Sequence, residues 1–101
     1  MSVTIITRFH GDTAKFRRDM VERAERYREI RDKAIEVGAL HHSFAVADDY
    51  VLVIDEWETA EQSRDFFAQP WMQEHVASCG ADLSVPPEIW AGEAVASPDK
   101  F

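Results

Sequence analysis

The sequence is short of cysteine, of basic residues and of long apolar runs, and each shortage excludes a class of protein. The single cysteine, Cys79, cannot form a disulfide within the chain. No apolar run approaches the roughly 18 residues that a membrane span needs. The first residues also lack the basic and apolar segments of a signal peptide. We therefore expect a cytoplasmic protein that has no membrane partner.

Basic residues are outnumbered by acidic ones, 11 to 19, which gives a formal net charge of -8. A surface this negative repels the phosphates of nucleic acids and of anionic membranes, so neither is expected as a partner. Eight of the 11 Lys and Arg residues lie between positions 15 and 33, with acidic residues between them. That pattern is typical of the solvated face of a helix rather than of a basic binding patch.

Hydrophobic periodicity predicts one α+β domain over residues 1–101. Apolar alternation and β-branched residues predict strands at 3–10, 39–47, 50–57 and 88–96. An apolar stripe with a helical period predicts one long helix over 14–37. A second helix begins after Thr59 and must end at Gln69, because Pro70 starts a further short helix. The order β-α-β-β-α-β favours a ferredoxin-like fold with one antiparallel sheet.

The third predicted strand is apolar on both of its faces over residues 50–54. A strand of this kind is covered on both sides, and two helices can cover only one face of a small sheet. A second copy of the chain is the simplest cover for the other face. The sequence therefore predicts a homodimer.

One segment carries a family resemblance: residues 51–59, Val-Leu-Val-Ile-Asp-Glu-Trp-Glu-Thr, pass directly from strand three into the next helix. Phe66, Phe67 and His75 follow on the helices behind it. With these residues the chain resembles the dimeric α+β-barrel superfamily, and within it the antibiotic-biosynthesis-monooxygenase-like domains. The resemblance implies a dimeric α+β barrel. The family includes cofactor-independent oxygenases of quinol-like aromatics, haem-degrading enzymes and members without a known activity.

Two histidines are candidates for catalysis, His42 and His75. His42 shares the predicted core side of its strand with Leu40 and Phe44, so it is either an acid–base group or a packed histidine of a cavity wall. Its neighbour His41 points to the opposite face, so the two cannot hold one metal ion. His75 is either catalytic or an exposed or partly packed helix histidine. We expect neither a metal nor a cofactor, and no nucleotide-binding motif is present.

Aromatic residues near the interruption at Pro70 are candidates for a ligand pocket. A helix broken there cannot pack along the sheet as one straight rod. The resulting gap between sheet and helices would be lined by Trp57, Phe66, Phe67 and Trp71, unless these side chains fill it as core.

Two functions remain open from the sequence. The first is a cofactor-independent monooxygenase of a small quinol-like aromatic, in which His42 or His75 removes a phenolic proton. The second is a non-catalytic dimeric module that binds an apolar small ligand. Haem degradation is a minor third possibility that the resemblance implies, because haem-degrading relatives hold the iron with a helix histidine near the place of His75. Thr7 and Phe66 depart from that pattern, since the relatives have asparagine and tryptophan there.

Overall fold

Four strands and four helices follow one another in a computed structural model that describes residues 1–101. They are β1 (Val3–His10), α1 (Thr13–Glu22), α2 (Ala24–Glu36), β2 (Ala39–Val46), β3 (Tyr50–Trp57), α3 (Ala60–Ala68), α4 (Pro70–Ser78) and β4 (Glu88–Glu93). The strands form a single sheet in the order β2-β3-β1-β4, and every pair is antiparallel. The predicted α+β, ferredoxin-like fold is confirmed. None of the helices has the length and apolar character needed to cross a membrane.

The helices cover one face of the sheet, and β3 shows this most clearly. Every second residue of β3, from Val51 to Trp57, is buried, while the residues between them are partly exposed. The central core cluster joins Ile5 and Trp57 of the sheet to Phe66 and Met72 of the helices. The other face of the sheet has no cover within the chain. The prediction that β3 is apolar on both faces with helices on one is therefore confirmed.

The core is small for a chain of this length, with 11 of 101 residues buried. Each large apolar side chain that is fully buried contributes about 1.5–3 kcal/mol to folding, so few such side chains carry much of the stability. Two features explain the shortage: one sheet face is bare, and a cavity occupies part of the space beneath the helices.

The prediction of a single helix over 14–37 is wrong, because the helix is interrupted at Arg23. That residue has φ -118° and ψ 36°, outside helical values, and it separates α1 from α2. Its side chain binds Asp19 at 2.6 Å and Ser78 of α4 at 2.8 Å. These contacts hold the chain at the break, while the apolar stripe continues across it. Asp12 caps α1, accepting a hydrogen bond from the backbone N–H of Lys15 at 3.0 Å.

Two strands end earlier than predicted, and one contains a bulge. β4 ends at Glu93 rather than at 96: Glu93 pairs with Val3, the first residue of β1, and beyond it the backbone N–H of Ala94 donates to the carbonyl of Ser2 at 3.0 Å. β2 ends at Val46 rather than at 47, where the hairpin turns. Leu40 is an extra residue in the ladder between β2 and β3. It is 55% exposed and does not share the core side of the strand as expected.

The start of α3 and the break before α4 agree with the prediction from the sequence. The helix α3 begins after Thr59, as expected, and Thr59 and Gln62 form a reciprocal capping box there. Gln69 is extended, with φ -66° and ψ 137°, and Pro70 opens α4 as its first residue. The predicted break between the two helices is confirmed.

Candidate active site

A cavity of about 720 Å³ lies between the sheet and the helices. Its walls are mainly apolar and include Phe9, Phe44 and Val53 from the sheet and Phe16, Tyr27 and Ile30 from the helices. A volume of this size is typical of a site for a small organic ligand. The sequence predicted a pocket in this layer.

The cavity opens between α2 and β2. Its exposed wall residues come mainly from these two elements, with Arg28, Arg31 and Ile35 on α2 and Leu40 and His41 at the start of β2. The remaining walls are mostly buried or half-buried. A ligand would therefore enter past the end of β2 that carries the two adjacent histidines.

His42 stands near this opening and is held by a buried carboxylate. Its Nδ1 lies 2.6 Å from Oδ1 of Asp55, which is directly opposite on β3 and is 5% exposed. Trp57 donates from Nε1 to the other carboxylate oxygen at 3.4 Å. The His42 ring also contacts Phe44 edge to face, with centroids 4.5 Å apart. Because the carboxylate accepts a hydrogen bond from Nδ1–H, the neutral imidazole keeps Nε2 free as a proton acceptor.

His75 lies deep in the same cavity and is only 4% exposed. Its ring packs against Tyr27, with centroids 5.0 Å apart. Burial lowers the pKa of His75 to about 4, helped by the positive charges of Arg26 and Arg23 and opposed by Asp19. The imidazole is therefore neutral near pH 7. Its Nδ1 is fully enclosed and has no hydrogen-bond partner.

A partly buried polar network supports the helices beside His75. Tyr27 donates from its hydroxyl to Asp19 at 2.5 Å, and Arg23 binds the other oxygen of that carboxylate at 2.6 Å. Burial and the bond to Asp19 raise the pKa of Tyr27, so its hydroxyl stays protonated. Burial favours a raised pKa for Asp19 as well, but the hydrogen bonds from Arg23 and Tyr27 outweigh it and lower that pKa. Asp19 is thus a carboxylate with both oxygens engaged.

Three of the four predicted aromatic residues line the cavity, namely Trp57, Phe66 and Phe67. Trp71 does not. Its ring lies 4.3 Å from Nζ of Lys33, and its Nε1 donates to Gln69 at 2.8 Å. Since Pro70 redirects the chain at the start of α4, Trp71 packs on the outer side of Phe66, away from the cavity.

Both predicted histidines reach one cavity, and the aromatic rings of Phe44 and Tyr27 lie between them. Sequence reasoning missed the partner of His42, because Asp55 lies on another strand, 13 residues further along the chain. The two side chains lie on the same face of the sheet, directly opposite each other on β2 and β3. This placement could have indicated the pair, but only once the register of the two strands was known. No three His, Cys, Asp or Glu side chains are grouped so as to hold a metal ion.

Comparisons with known proteins find similarity in structure rather than in sequence. No protein-family model matches the chain, and no curated protein matches its sequence. SnoaB, a cofactor-independent oxygenase from Streptomyces nogalater, superposes with a TM-score of 0.65 at 17% identity over 98% of both chains. A monooxygenase from the gene ActVA-Orf6 of Streptomyces coelicolor, solved with the ligand nanaomycin D, has a TM-score of 0.63 at 19% identity. The match covers 99% of this chain and 92% of that one.

A Nitrosomonas europaea protein, provisionally assigned to the antibiotic biosynthesis monooxygenases, gives a TM-score of 0.64 at 12% identity over 93% of this chain and 90% of its own. Identities this low establish a shared fold and leave the chemistry open. The resemblance noted in the sequence is confirmed at that level: the chain has the ferredoxin-like fold of solved antibiotic-biosynthesis-monooxygenase structures.

Proposed function

We propose that this protein is a cofactor-independent monooxygenase that acts on a small hydroxylated, quinol-like aromatic. The observation that carries the proposal is the His42–Asp55 pair in the wall of an apolar cavity. A general base held by a buried carboxylate, beside space for an aromatic ring, is the arrangement that phenol deprotonation needs. Two proteins with the same fold, a cofactor-independent oxygenase and a monooxygenase solved with nanaomycin D, support this choice.

The chemistry begins with proton transfer from the phenol to Nε2 of His42. Asp55 keeps the ring oriented and stabilises the imidazolium that forms. The phenolate gives one electron to molecular oxygen, and the two radicals combine to form a carbon–oxygen bond. The resulting peroxide loses water and leaves a quinone. One oxygen atom enters the product and the other becomes water, with the substrate supplying the electrons. The apolar walls, including Trp57, Phe66 and Phe67, keep bulk water away from the anion.

The test is oxygen uptake with 1-naphthol in the presence of a chelator, since this phenol would give 1,4-naphthoquinone and water. We expect one oxygen molecule consumed per quinone formed. His42→Gln removes the base and should lower kcat by about 100-fold or more. Asp55→Asn should lower it by about tenfold to 100-fold, because the ring loses its orientation. Glu61→Gln, on the exposed surface of α3 and outside the cavity, is the control and should retain activity.

Two results would contradict the proposal. One is oxygen uptake by the wild type no faster than in buffer, and the other is full activity in both site variants. Saturable binding of 1-naphthol without any turnover would instead favour the non-catalytic ligand-binding module. A Soret shift on addition of haem, lost in His75→Ala, would favour the haem-degrading alternative.

We also propose that the protein is a homodimer that pairs through the bare face of the sheet. This face carries Ile6, Leu52 and Ile54 in its centre, and Trp90, which is 51% exposed. Light scattering should give twice the 11.6 kDa of one chain, and Ile54→Lys should give the mass of one chain. A wild-type monomer at micromolar concentration would disprove the pairing. The cytoplasmic location stays a prediction.

A further inference from the structure

We propose that His75 binds the ligand as a neutral hydrogen-bond donor, presenting Nε2–H to an acceptor oxygen of the ligand at the inner end of the cavity. The inference rests on the proposed function, in which an aromatic ligand occupies this cavity. It gives the two histidines different tasks: His42 accepts a proton near the opening, and His75 holds a carbonyl or phenolate oxygen in the interior.

The inner end of the cavity offers one polar group that the protein leaves unused. The neighbouring donors and acceptors are satisfied within the chain, so they are not free for a ligand. Tyr27 and Arg23 donate to Asp19, Arg23 also donates to Ser78, and the Cys79 thiol donates to the carbonyl of Val76 at 3.3 Å. His75 alone lacks a side-chain partner there, although it is 4% exposed. The enclosed Nδ1 stays without a partner, so Nε2 is the ring nitrogen that a ligand in the cavity can reach.

The position of the proton on His75 follows from the surroundings of its two ring nitrogens. Nδ1 is enclosed and faces no acceptor, so a proton on it would be a buried donor without a partner. Enclosed N–H groups without partners are rarer in proteins than enclosed acceptors without partners. The proton therefore belongs on Nε2, the nitrogen left to face the cavity that His75 lines.

The charge state of His75 agrees with a donor rather than a base. The groups that face it are Arg23, Arg26, Asp19, Tyr27 and Cys79. Burial and the two arginines lower its pKa to about 4 and outweigh Asp19. Burial raises the pKa of both Tyr27 and Cys79, so these two remain uncharged near neutrality. A neutral imidazole with its proton on Nε2 can donate a hydrogen bond to an oxygen acceptor, but this nitrogen cannot accept one from an ammonium group.

A donor at this place would also assist the reaction. When His42 removes a proton from one oxygen, the negative charge spreads through a conjugated ring to a carbonyl oxygen elsewhere on the ligand. A hydrogen bond from His75 to that second oxygen is stronger to the anion than to the neutral phenol, so it favours deprotonation. The ligand class that this arrangement selects is an aromatic with an acceptor oxygen remote from its hydroxyl group.

Calorimetric titration with two probes of the same skeleton, 1-tetralone and tetralin, tests the inference because only the first has a carbonyl oxygen. His75→Phe keeps a ring and removes the donor, and it should weaken 1-tetralone binding about fivefold to tenfold. Tetralin binding should change less than twofold. His75→Gln restores an N–H donor and should recover most of the lost affinity for 1-tetralone.

The outcomes separate this inference from the proposed function. An equal loss for both probes, or no loss for 1-tetralone, would overturn the donor role while leaving the aromatic cavity intact. Failure of the wild type to bind either probe would overturn both. Nitrogen-15 NMR of the free protein gives a second readout that needs no ligand. We expect His75 to be neutral with its proton on Nε2 from pH 5.5 to 8. A proton on Nδ1, or titration within that range, would refute the inference.

Discussion

Replacing His75 should remove a large part of the acid sensitivity of folding. The histidine is buried as the neutral form, with a pKa of about 4 against an ordinary 6.5. Below pH 6.5 His75 binds a proton in the unfolded chain but not in the folded chain, so acid favours unfolding. The stabilisation is complete above pH 6.5 and is lost as the pH falls toward 4.

The magnitude follows from the difference between the two pKa values of His75, 6.5 and about 4. Each factor of ten in proton affinity is worth about 1.4 kcal/mol, so the complete loss is about 3 kcal/mol. Between pH 7.5 and pH 5 the loss is about 2 kcal/mol by the same relation. Since one edge of the ring borders the cavity, where water reduces the cost of charge, this figure is an upper value.

Urea unfolding at pH 7.5 and pH 5, at one protein concentration, measures the effect. The free energy of unfolding should fall about 2 kcal/mol further in the wild type than in His75→Gln. The lower limit of pH 5 keeps most carboxylates ionised. His41→Gln removes an exposed imidazole and should behave as the wild type does. Equal pH dependence in the wild type and His75→Gln would show that the His75 imidazole is not held neutral.

Three further substitutions test the fold by urea unfolding. Phe66→Ala should lower the free energy of unfolding by about 3–5 kcal/mol, because Phe66 is 3% exposed in the core cluster. Phe66→Leu fills more of the same space and should lower it clearly less. Equal losses in the two variants would contradict this packing. Thr59→Ala should cost about 1 kcal/mol by removing the cap that binds Gln62, and Thr59→Ser should restore it. Gly80→Ala should cost at least about 1 kcal/mol, because Gly80 has φ +108° and an added Cβ would lie 2.7 Å from the carbonyl oxygen of Asp12. An unchanged midpoint in either of these last two would contradict the local geometry.

Local patterns in the sequence were sufficient where one element alone determines the outcome. The helix break at Gln69-Pro70 depends on the proline ring, and the start of α3 depends on Thr59 and Gln62, which are close in sequence. The two-sided apolar character of β3 likewise belongs to the strand itself. Such features can be predicted from the sequence because neighbouring residues, rather than distant ones, cause them.

Features that depend on distant partners could not be predicted. The break at Arg23 has no glycine or proline to mark it, and it coincides with a bond from Arg23 to Ser78 on another helix. The His42–Asp55 pair depends on the register of β2 against β3, which the hairpin between them sets and which the pattern of either strand alone does not specify. The sequence named His42 and His75 as alternative candidates, whereas their opposite chemical environments emerge only from burial and from the charges that the helices bring together.

The alternation along β3 limits how this sequence can change over evolutionary time. Its buried residues, including Asp55, line the cavity, and the residues between them form the centre of the bare face. An insertion or deletion within the strand would exchange the two sets and turn Asp55 away from His42. Substitutions on one face leave the other face largely intact. The edge strand β2, in contrast, already accommodates an extra residue at Leu40. Descendants adapted to other ligands should therefore differ along β3 in side chains but not in length, and gain or lose residues at the edges of the sheet.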